Sequence, residues 1–286
     1  MSLSDLFQQK RVVSLEVFPP KPDAPIDVVL RTLEALADLQ PDYMSVTYGA
    51  GGSKIGLSCE LAQSIPVICH CPALAHLTCV GADEARLQQT LEAFARVGVE
   101  AVLALRGDVP AGMTYQQAFA HFHYASDLVQ YIKAHTNLCV GAACYPESHF
   151  ESPTPGTDLD NLKYKVDCGV DFLVSQLFFD NDAFFSFLDR ARRAGIQVPI
   201  TAGVMPVLNA PQILRMTTLC GSSIPASLSR IYARYGENKE DFQKAGMDFC
   251  CQQILDLKRG GVDGIHLYTM NRAKSTRAIL MRTALR

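Results

Sequence analysis

Two hydrophobic rhythms alternate along the chain. Short apolar runs stand at 12–18 (VVSLEVF), 43–49 (YMSVTYG), 72–80 (PALAHLTCV) and 101–108 (AVLALRGD). They continue at 138–146 (LCVGAACYP), 172–180 (FLVSQLFFD), 198–206 (VPITAGVMP) and 264–271 (GIHLYTMN). Rich in β-branched and aromatic residues and bounded by proline, glycine or charge, they read as buried strands. Most are separated by stretches with apolar residues three and four apart, such as IDVVLRTLEALADL, DEARLQQTLEAFARVG and NDAFFSFLDRARRAG. These read as amphipathic helices. Asp83 is the expected N-cap and Gly98 the expected C-cap of the second; Asn181 or Asp182 and Gly195 bound the third. Strand starts recur at about 30 residues, the size of a βα unit. The longer gap before the last run holds extra helices across 209–258.

Eight such units in 286 residues predict an α/β fold, a (βα)8 TIM barrel with extra helices before the last strand. No Pro- or Ser-rich linker divides the chain, so 1–286 reads as a single domain. An open doubly wound sheet is the competitor, but no G-x-G-x-x-G follows the first strand and no P-loop is present.

Polar residues interrupt these runs mainly at their carboxyl ends, where a barrel of this kind builds its active site. The positions are Glu16, Thr47 and Tyr48, His76 and Thr78, then Arg106, Gly107 and Asp108. Tyr145 and Glu147, Gln176 and Asp180, and Tyr268, Asn271 and Arg272 complete the set. Each has a plain structural alternative. Glu16 can face solvent from an edge strand, His76 can be a core histidine, Asp108 can cap the next segment, and Gln176 can bond backbone. The segment DLDNLKYK (158–165) suits either a solvated helix start or a ribose and phosphates at a helix N-terminus. Seven strands placing such groups at one end is more than solvation requires. That moves Glu16 toward the barrel mouth, where a carboxylate can act as acid or base.

Composition narrows the classes. A net charge of −3 argues against nucleic-acid binding. No stretch approaches the roughly 20 apolar residues of a membrane span, and MSLSDLFQQKR lacks the charged-then-apolar pattern of a secretory signal. The ten cysteines form no CxxC pair and lie in apolar segments, as expected of reduced thiols in a cytoplasmic protein. Cys69, His70, Cys71, His76 and Cys79 cluster in sequence, but their spacing matches no common zinc site, so no metal is expected.

The motifs LEVFPP, VTYGAGG, HLTC, ALRGD, AACYPE, DNLKYKVDCG, QLFFD, GVMPV and LYTMNRA follow in order from residue 15 to 273. Together they resemble the methylenetetrahydrofolate reductase family, in its bacterial, barrel-only form. The resemblance implies a barrel holding non-covalent FAD. The implied reaction reduces 5,10-methylenetetrahydrofolate to 5-methyltetrahydrofolate, with NADH or NADPH as donor and a role in methionine biosynthesis. By motif, Glu16 is the general acid that opens the methylene bridge. Burial at a half-apolar strand end is expected to raise its pKa, as an acid working near neutrality needs. Asp108 and Gln176 join it as catalytic and folate-binding residues; Gln212, Tyr268 and Arg272 are further substrate contacts.

For FAD, the matching donors to pyrophosphate are Arg106, His149 and Lys165. Asp158 and Asn161 match sugar contacts, and Gly107 and Ala143 leave room for a flat ring. Thr47, His76, Leu105, Asp108, Tyr124, Ala125 and Tyr145 complete the cofactor set. Two departures stand out: Tyr164 replaces a second basic residue in the NLK-K stretch, and Met216 stands where relatives place an aromatic. The second departure leaves open an electron-donor protein in place of the nicotinamide. Other readings are an electron-relay flavin subunit of a larger complex and a flavin-free pterin-binding barrel transferase. Homo-oligomer formation is compatible with the resemblance.

Overall fold

The computed structural model describes residues 3–20, 24–47 and 55–286. Eight parallel strands close into one barrel in sequence order. They are β1 (Val12–Val17), β2 (Tyr43–Val46), β3 (Ala73–Thr78), β4 (Ala101–Leu105), β5 (Cys139–Cys144), β6 (Phe172–Ser175), β7 (Ile200–Val204) and β8 (Gly264–Tyr268). Each falls inside the expected run and ends before it does, because the polar carboxyl-end residues leave the ladder to form the mouth. The helices are α1 (Leu3–Gln9), α2 (Asp27–Ala37), α3 (Ile55–Cys69), α4 (Glu84–Arg96), α5 (Tyr115–Ala118) and α6 (Ala125–His135). They continue with α7 (Pro155–Asp167), α8 (Asn181–Arg193), α9 (Ala210–Cys220), α10 (Ala226–Tyr235), α11 (Lys239–Arg259) and α12 (Ala273–Arg282). No described helix is long and apolar enough to cross a membrane.

Three helix ends differ from expectation, one of them the end of α8, whose C-cap is Ala194 with Gly195 one residue beyond at φ +83°. Asp180 caps α8, accepting the Asp182 N–H at 2.9 Å, in place of Asn181 or Asp182. Val97 is the C-cap of α4, and Gly98 stands one residue beyond at φ +75°, the left-handed position that glycine adopts freely. Asp83 caps α4 as expected, accepting from Arg86 N–H at 2.8 Å.

Strand alternation sorts side chains to two cores. Outward-facing Val13, Leu15, Val17, Val102, Val140, Ile200 and Ile265 pack under the surrounding helices. Inward-facing Val12, Tyr43, Leu74, Leu103 and Phe172 fill the amino end of the barrel, which Leu3, Leu6 and Phe7 of α1 cover from below. The Phe7 and Phe172 rings stand 5.4 Å apart. A third cluster lies at the other end, under α9, α10 and α11, and includes Phe179, Met205, Val207, Ile213, Leu228 and Phe242, with Met216 and Tyr268 at its edge. The extra helices therefore build a wall beside the mouth.

Register is fixed from below by a repeated device. Asp42, Asp171 and Asp263 each immediately precede a strand, and each carboxylate accepts a backbone N–H from the neighbouring strand: Val13 at 2.7 Å, Val140 at 2.6 Å and Ile200 at 2.9 Å. Each is also paired with a cation. Lys10 and Arg286 lie 2.7 Å from Asp42, Lys133 lies 2.6 Å from Asp171, and Arg192 lies 2.8 Å from Asp263. A one-residue slip would break all these bonds and turn every inward side chain outward.

Candidate active site

The inner face of β1 carries Ser14 and Glu16, both buried; Glu16 is 5 % exposed. Register sets Ser14 opposite Tyr43 and His266, and Glu16 opposite Ser45 and Tyr268. The Glu16 carboxylate is thereby enclosed by hydrogen-bonding groups. Its Oε2 lies 3.3 Å from Ser45 Oγ, which donates to it, and 3.3 Å from His266 Nε2. On the far side of the imidazole, His266 Nδ1 lies 2.7 Å from Ser14 Oγ. His76 Nε2, from β3, is also 3.3 Å from Oε2. This arrangement excludes the edge-strand alternative for Glu16 and places His76 inside the barrel.

The electrostatics reverse one expectation. Burial, the largest single influence, raises the Glu16 pKa. Hydrogen bonding and charge from His266 and His76 together outweigh it and hold the carboxyl down at about 2. The sequence reading takes burial into account but omits His266. That residue stands two positions before Tyr268 on the same strand, so the period of two is the signal that could have found it.

The opposite side of the mouth is built by β4, β5 and α7. Asp158, Asn161 and Lys165 are three and four residues apart and share one face of α7. Lys165 Nζ donates to the Ala143 carbonyl at 2.7 Å, and burial lowers its pKa. Asp158 accepts from Ser152 Oγ at 3.2 Å. Arg106 follows β4 and grips Glu151 through both terminal nitrogens, at 2.5 and 2.9 Å, while lying over the Phe119 ring. His149 packs against Tyr145 and Phe150, with ring centroids 4.7 Å apart in each pair; its pKa is lowered by burial and then by Arg106. Gly107 turns the chain at φ +83°, where a Cβ would come 2.7 Å from the Val80 side chain. Leu105 ends β4, while Tyr124 and Ala125 open α6, with the Tyr124 carbonyl accepting from Cys79 Sγ at 3.3 Å.

Two tyrosines join the halves. Burial raises the pKa of the Tyr145 phenol, which lies within electrostatic reach of Asp108, Arg106, Cys220 and Asp158. Burial likewise raises that of Tyr268, whose neighbours include Glu16, Cys220 and Tyr145. Tyr268 Oη donates to the Ser175 carbonyl at 2.8 Å, crossing above Gly203, where a Cβ would meet that hydroxyl at 2.7 Å. Gln176 follows β6; its Oε1 accepts from Leu177 N–H at 2.8 Å, and its amide NH2 has no partner among the described residues. Asp108 is exposed and likewise unpaired among them.

Other expected positions have structural duties. Asp180 is the α8 cap. Glu147 accepts the Ser223 N–H at 3.0 Å, tying two mouth loops together. Asn271 bonds Phe18. Gln212 lies in the first turn of α9, its N–H donating to Asn209 Oδ1, and Arg272 is exposed at the start of α12. Met216 packs into the cluster under α9–α11, while Tyr164 is exposed and accepts from Gln130 at 3.3 Å. Thr47 is described, with its N–H on the Val17 carbonyl; Tyr48 and the rest of the YGAGG stretch lie outside the described residues. The Cys69–Cys79 stretch does not converge: Cys69 bonds the Leu33 carbonyl, Cys79 turns to Leu105 and Tyr124, and His76 enters the barrel.

The comparisons with known proteins agree with this layout. The rice protein named "Probable methylenetetrahydrofolate reductase (NADH)" is 34 % identical over 288 residues, covering 96 % of this chain and 48 % of its own length. The chain thus spans about half of that relative. The 5,10-methylenetetrahydrofolate reductase of Escherichia coli (strain K12) is 33 % identical over 267 residues, covering 93 % of this chain and 88 % of its own. Among solved structures, an uncharacterized Clostridium thermocellum protein that binds two copies of 5-methyl-5,6,7,8-tetrahydrofolic acid shares the fold. Its TM-score is 0.68 at 16 % identity, over 97 % of this chain and 95 % of that one. The profile described as Methylenetetrahydrofolate reductase matches residues 2–284, and the chain belongs to that family.

Proposed function

We propose that this chain reduces 5,10-methylenetetrahydrofolate to 5-methyltetrahydrofolate, using FAD at the carboxyl end of the barrel and NADH or NADPH as electron donor. The observation that carries the reading is the buried Glu16 carboxylate, aimed into the mouth between two imidazoles. The family match over nearly the whole chain and the names of the rice and E. coli relatives support the reaction; the rice name supports NADH.

The chemistry of the donor set fits FAD. Lys165, His149 and Arg106 are half-buried donors on one side, within mutual electrostatic reach, and suit a pyrophosphate. Asp158 and Asn161, on the Lys165 face of α7, suit sugar hydroxyls. At Gly107 the backbone lies where no side chain would fit, and Ala143 is small. When bound, FAD would supply the hydride-transfer chemistry.

The residues do the rest. The Gln176 NH2, a donor, and the Asp108 carboxylate, an acceptor, both without a partner among the described residues, suit a pterin edge. Glu16 gives a proton to the nitrogen that leaves the methylene bridge, opening it to an iminium that can accept hydride. For that step Glu16 must hold a proton. Burial favours the protonated form and the imidazoles oppose it, so the acid is readied when His266 and His76 cease to hold the charge.

The test uses FAD-loaded protein under anaerobic conditions. Titration with NADH and NADPH should bleach the flavin, and methylenetetrahydrofolate should restore its colour. Glu16→Gln should keep flavin binding and reduction by the donor but slow reoxidation by folate by several orders of magnitude. A near-normal rate in that variant would refute the acid role, and a colourless, non-binding wild-type protein would refute the flavin reading.

A further inference from the structure

β8 stops pairing earlier than β1 does. After Tyr268 the backbone turns through Met270 (φ 52°) and Asn271 (φ 54°), two consecutive left-handed residues, and enters α12. β1 ends at Val17, and the chain continues through Phe18 to Pro19 and Pro20, which have no N–H to offer. Phe18 would therefore be left with a donor and an acceptor unpaired on this side. The Asn271 amide takes both: its Oδ1 accepts the Phe18 N–H at 2.9 Å and its Nδ2 donates to the Phe18 carbonyl at 2.8 Å. One side chain thus replaces the missing strand residue. The same corner is fastened again at Glu16. Thr269 Oγ1 donates to the Glu16 carbonyl at 2.6 Å and accepts the Asn271 N–H at 3.1 Å. The Thr269 N–H reaches the Glu16 carbonyl at 3.3 Å.

We infer that Asn271 is a positioning residue for the Glu16 carboxyl: by pairing with Phe18 as a surrogate strand, it sets the height and angle at which Glu16 meets substrate. Three consecutive residues, Glu16 to Phe18, carry the acid and the turn into Pro19–Pro20. On the β2 side they are held by the strand ladder and by the Thr47 N–H on Val17. On the β8 side, beyond Tyr268, only Thr269 and Asn271 hold them among the described residues. Asparagine suits the position because it tolerates left-handed backbone and carries a donor and an acceptor spaced like a peptide group.

This inference rests on the proposed reading of Glu16 as the acid. Asn271→Gly tests it, because glycine removes the amide and leaves the left-handed turn unstrained. FAD-loaded Asn271→Gly should be reduced by the nicotinamide donor within twofold of wild type, whereas its reoxidation by saturating methylenetetrahydrofolate should slow at least tenfold. Amide hydrogen exchange in the 12–20 segment should rise. In a Glu16→Gln background, Asn271→Gly should slow the residual folate step by less than twofold, since the group it positions is gone. Equal slowing in both backgrounds, or equal slowing of both half-reactions, overturns the inference in favour of a general structural role. If Asn271→Gly does not fold, Asn271→Asp serves. It keeps the turn and the acceptor but opposes a carboxylate to the Phe18 carbonyl, and the same split between half-reactions is expected. A wild-type protein whose reduced flavin is not reoxidised by methylenetetrahydrofolate would instead sink the functional reading, independently of Asn271.

Discussion

Replacing Glu16 by glutamine tests the electrostatics of the site without any substrate. The carboxyl, ordinarily at 4.5, is held at about 2 in the folded chain, where His266 and His76 outweigh burial. A group whose folded pKa lies below its unfolded one contributes stability above the unfolded value. That contribution is lost as pH falls through the folded value. The window here runs from about 4.5 down to about 2. Each unit corresponds to about 1.4 kcal/mol, so the contribution above the window is about 3 kcal/mol. The side chain is almost wholly buried, and solvent screening removes little of it. Glutamine has the same shape and cannot titrate. Its packing and hydrogen-bonding differences from glutamate add an offset that hardly depends on pH. The measurement is urea unfolding of wild type and Glu16→Gln at several pH values between 7 and 3. The stability difference between the two proteins should shift in favour of the variant as the pH falls below 4.5, by about 2 kcal/mol at pH 3, with the rest lost only below the folded value. A difference that stays constant across that range would refute the claim that the imidazoles hold Glu16 ionised.

Three further outcomes are expected. Arg106→Ala should weaken FAD binding at least tenfold in a fluorescence titration, since it removes a fork of donors beside His149 and Lys165; unchanged affinity would count against the phosphate role. Asp42→Ala should lower the urea midpoint by an amount equivalent to about 3 kcal/mol, because it strands a buried Val13 N–H and unpairs Lys10 and Arg286. A change within experimental error would show that the backbone ladder alone sets this register. Gly246→Ala should destabilise by at least about 2 kcal/mol, because the new Cβ would sit 1.9 Å from the Val207 carbonyl oxygen and force α11 away from the segment that follows β7. A variant of wild-type stability would mean that α11 moves freely.

The eight strands, their order and the extra helices before β8 were legible because each strand is a short apolar run and each helix a longer periodic one. The carboxyl-end polar residues were legible as a set for the same reason: they break the runs at one end only. The family resemblance then supplied roles that no periodicity contains. What remained hidden is what depends on contacts between distant elements. Asp180 reads as a mouth residue and is a helix cap, because whether a carboxylate caps or binds depends on where the backbone turns. Asn271 reads as one more polar residue at the mouth, and its amide pairs with the Phe18 backbone, 253 residues away.

The clearest case is Glu16. From the sequence, a carboxyl in an apolar strand has one physical consequence, burial, and burial raises its pKa. Closing the barrel sets β8 against β1 and brings β3 across from it, so His266 and His76 arrive within 3.3 Å of the same oxygen and reverse the sign. The chain by itself determined that a carboxylate stands in an apolar run near the carboxyl end of a barrel strand. Only the closed tertiary structure decided its charge, because electrostatic energy depends on distance between groups and those distances exist only after closure.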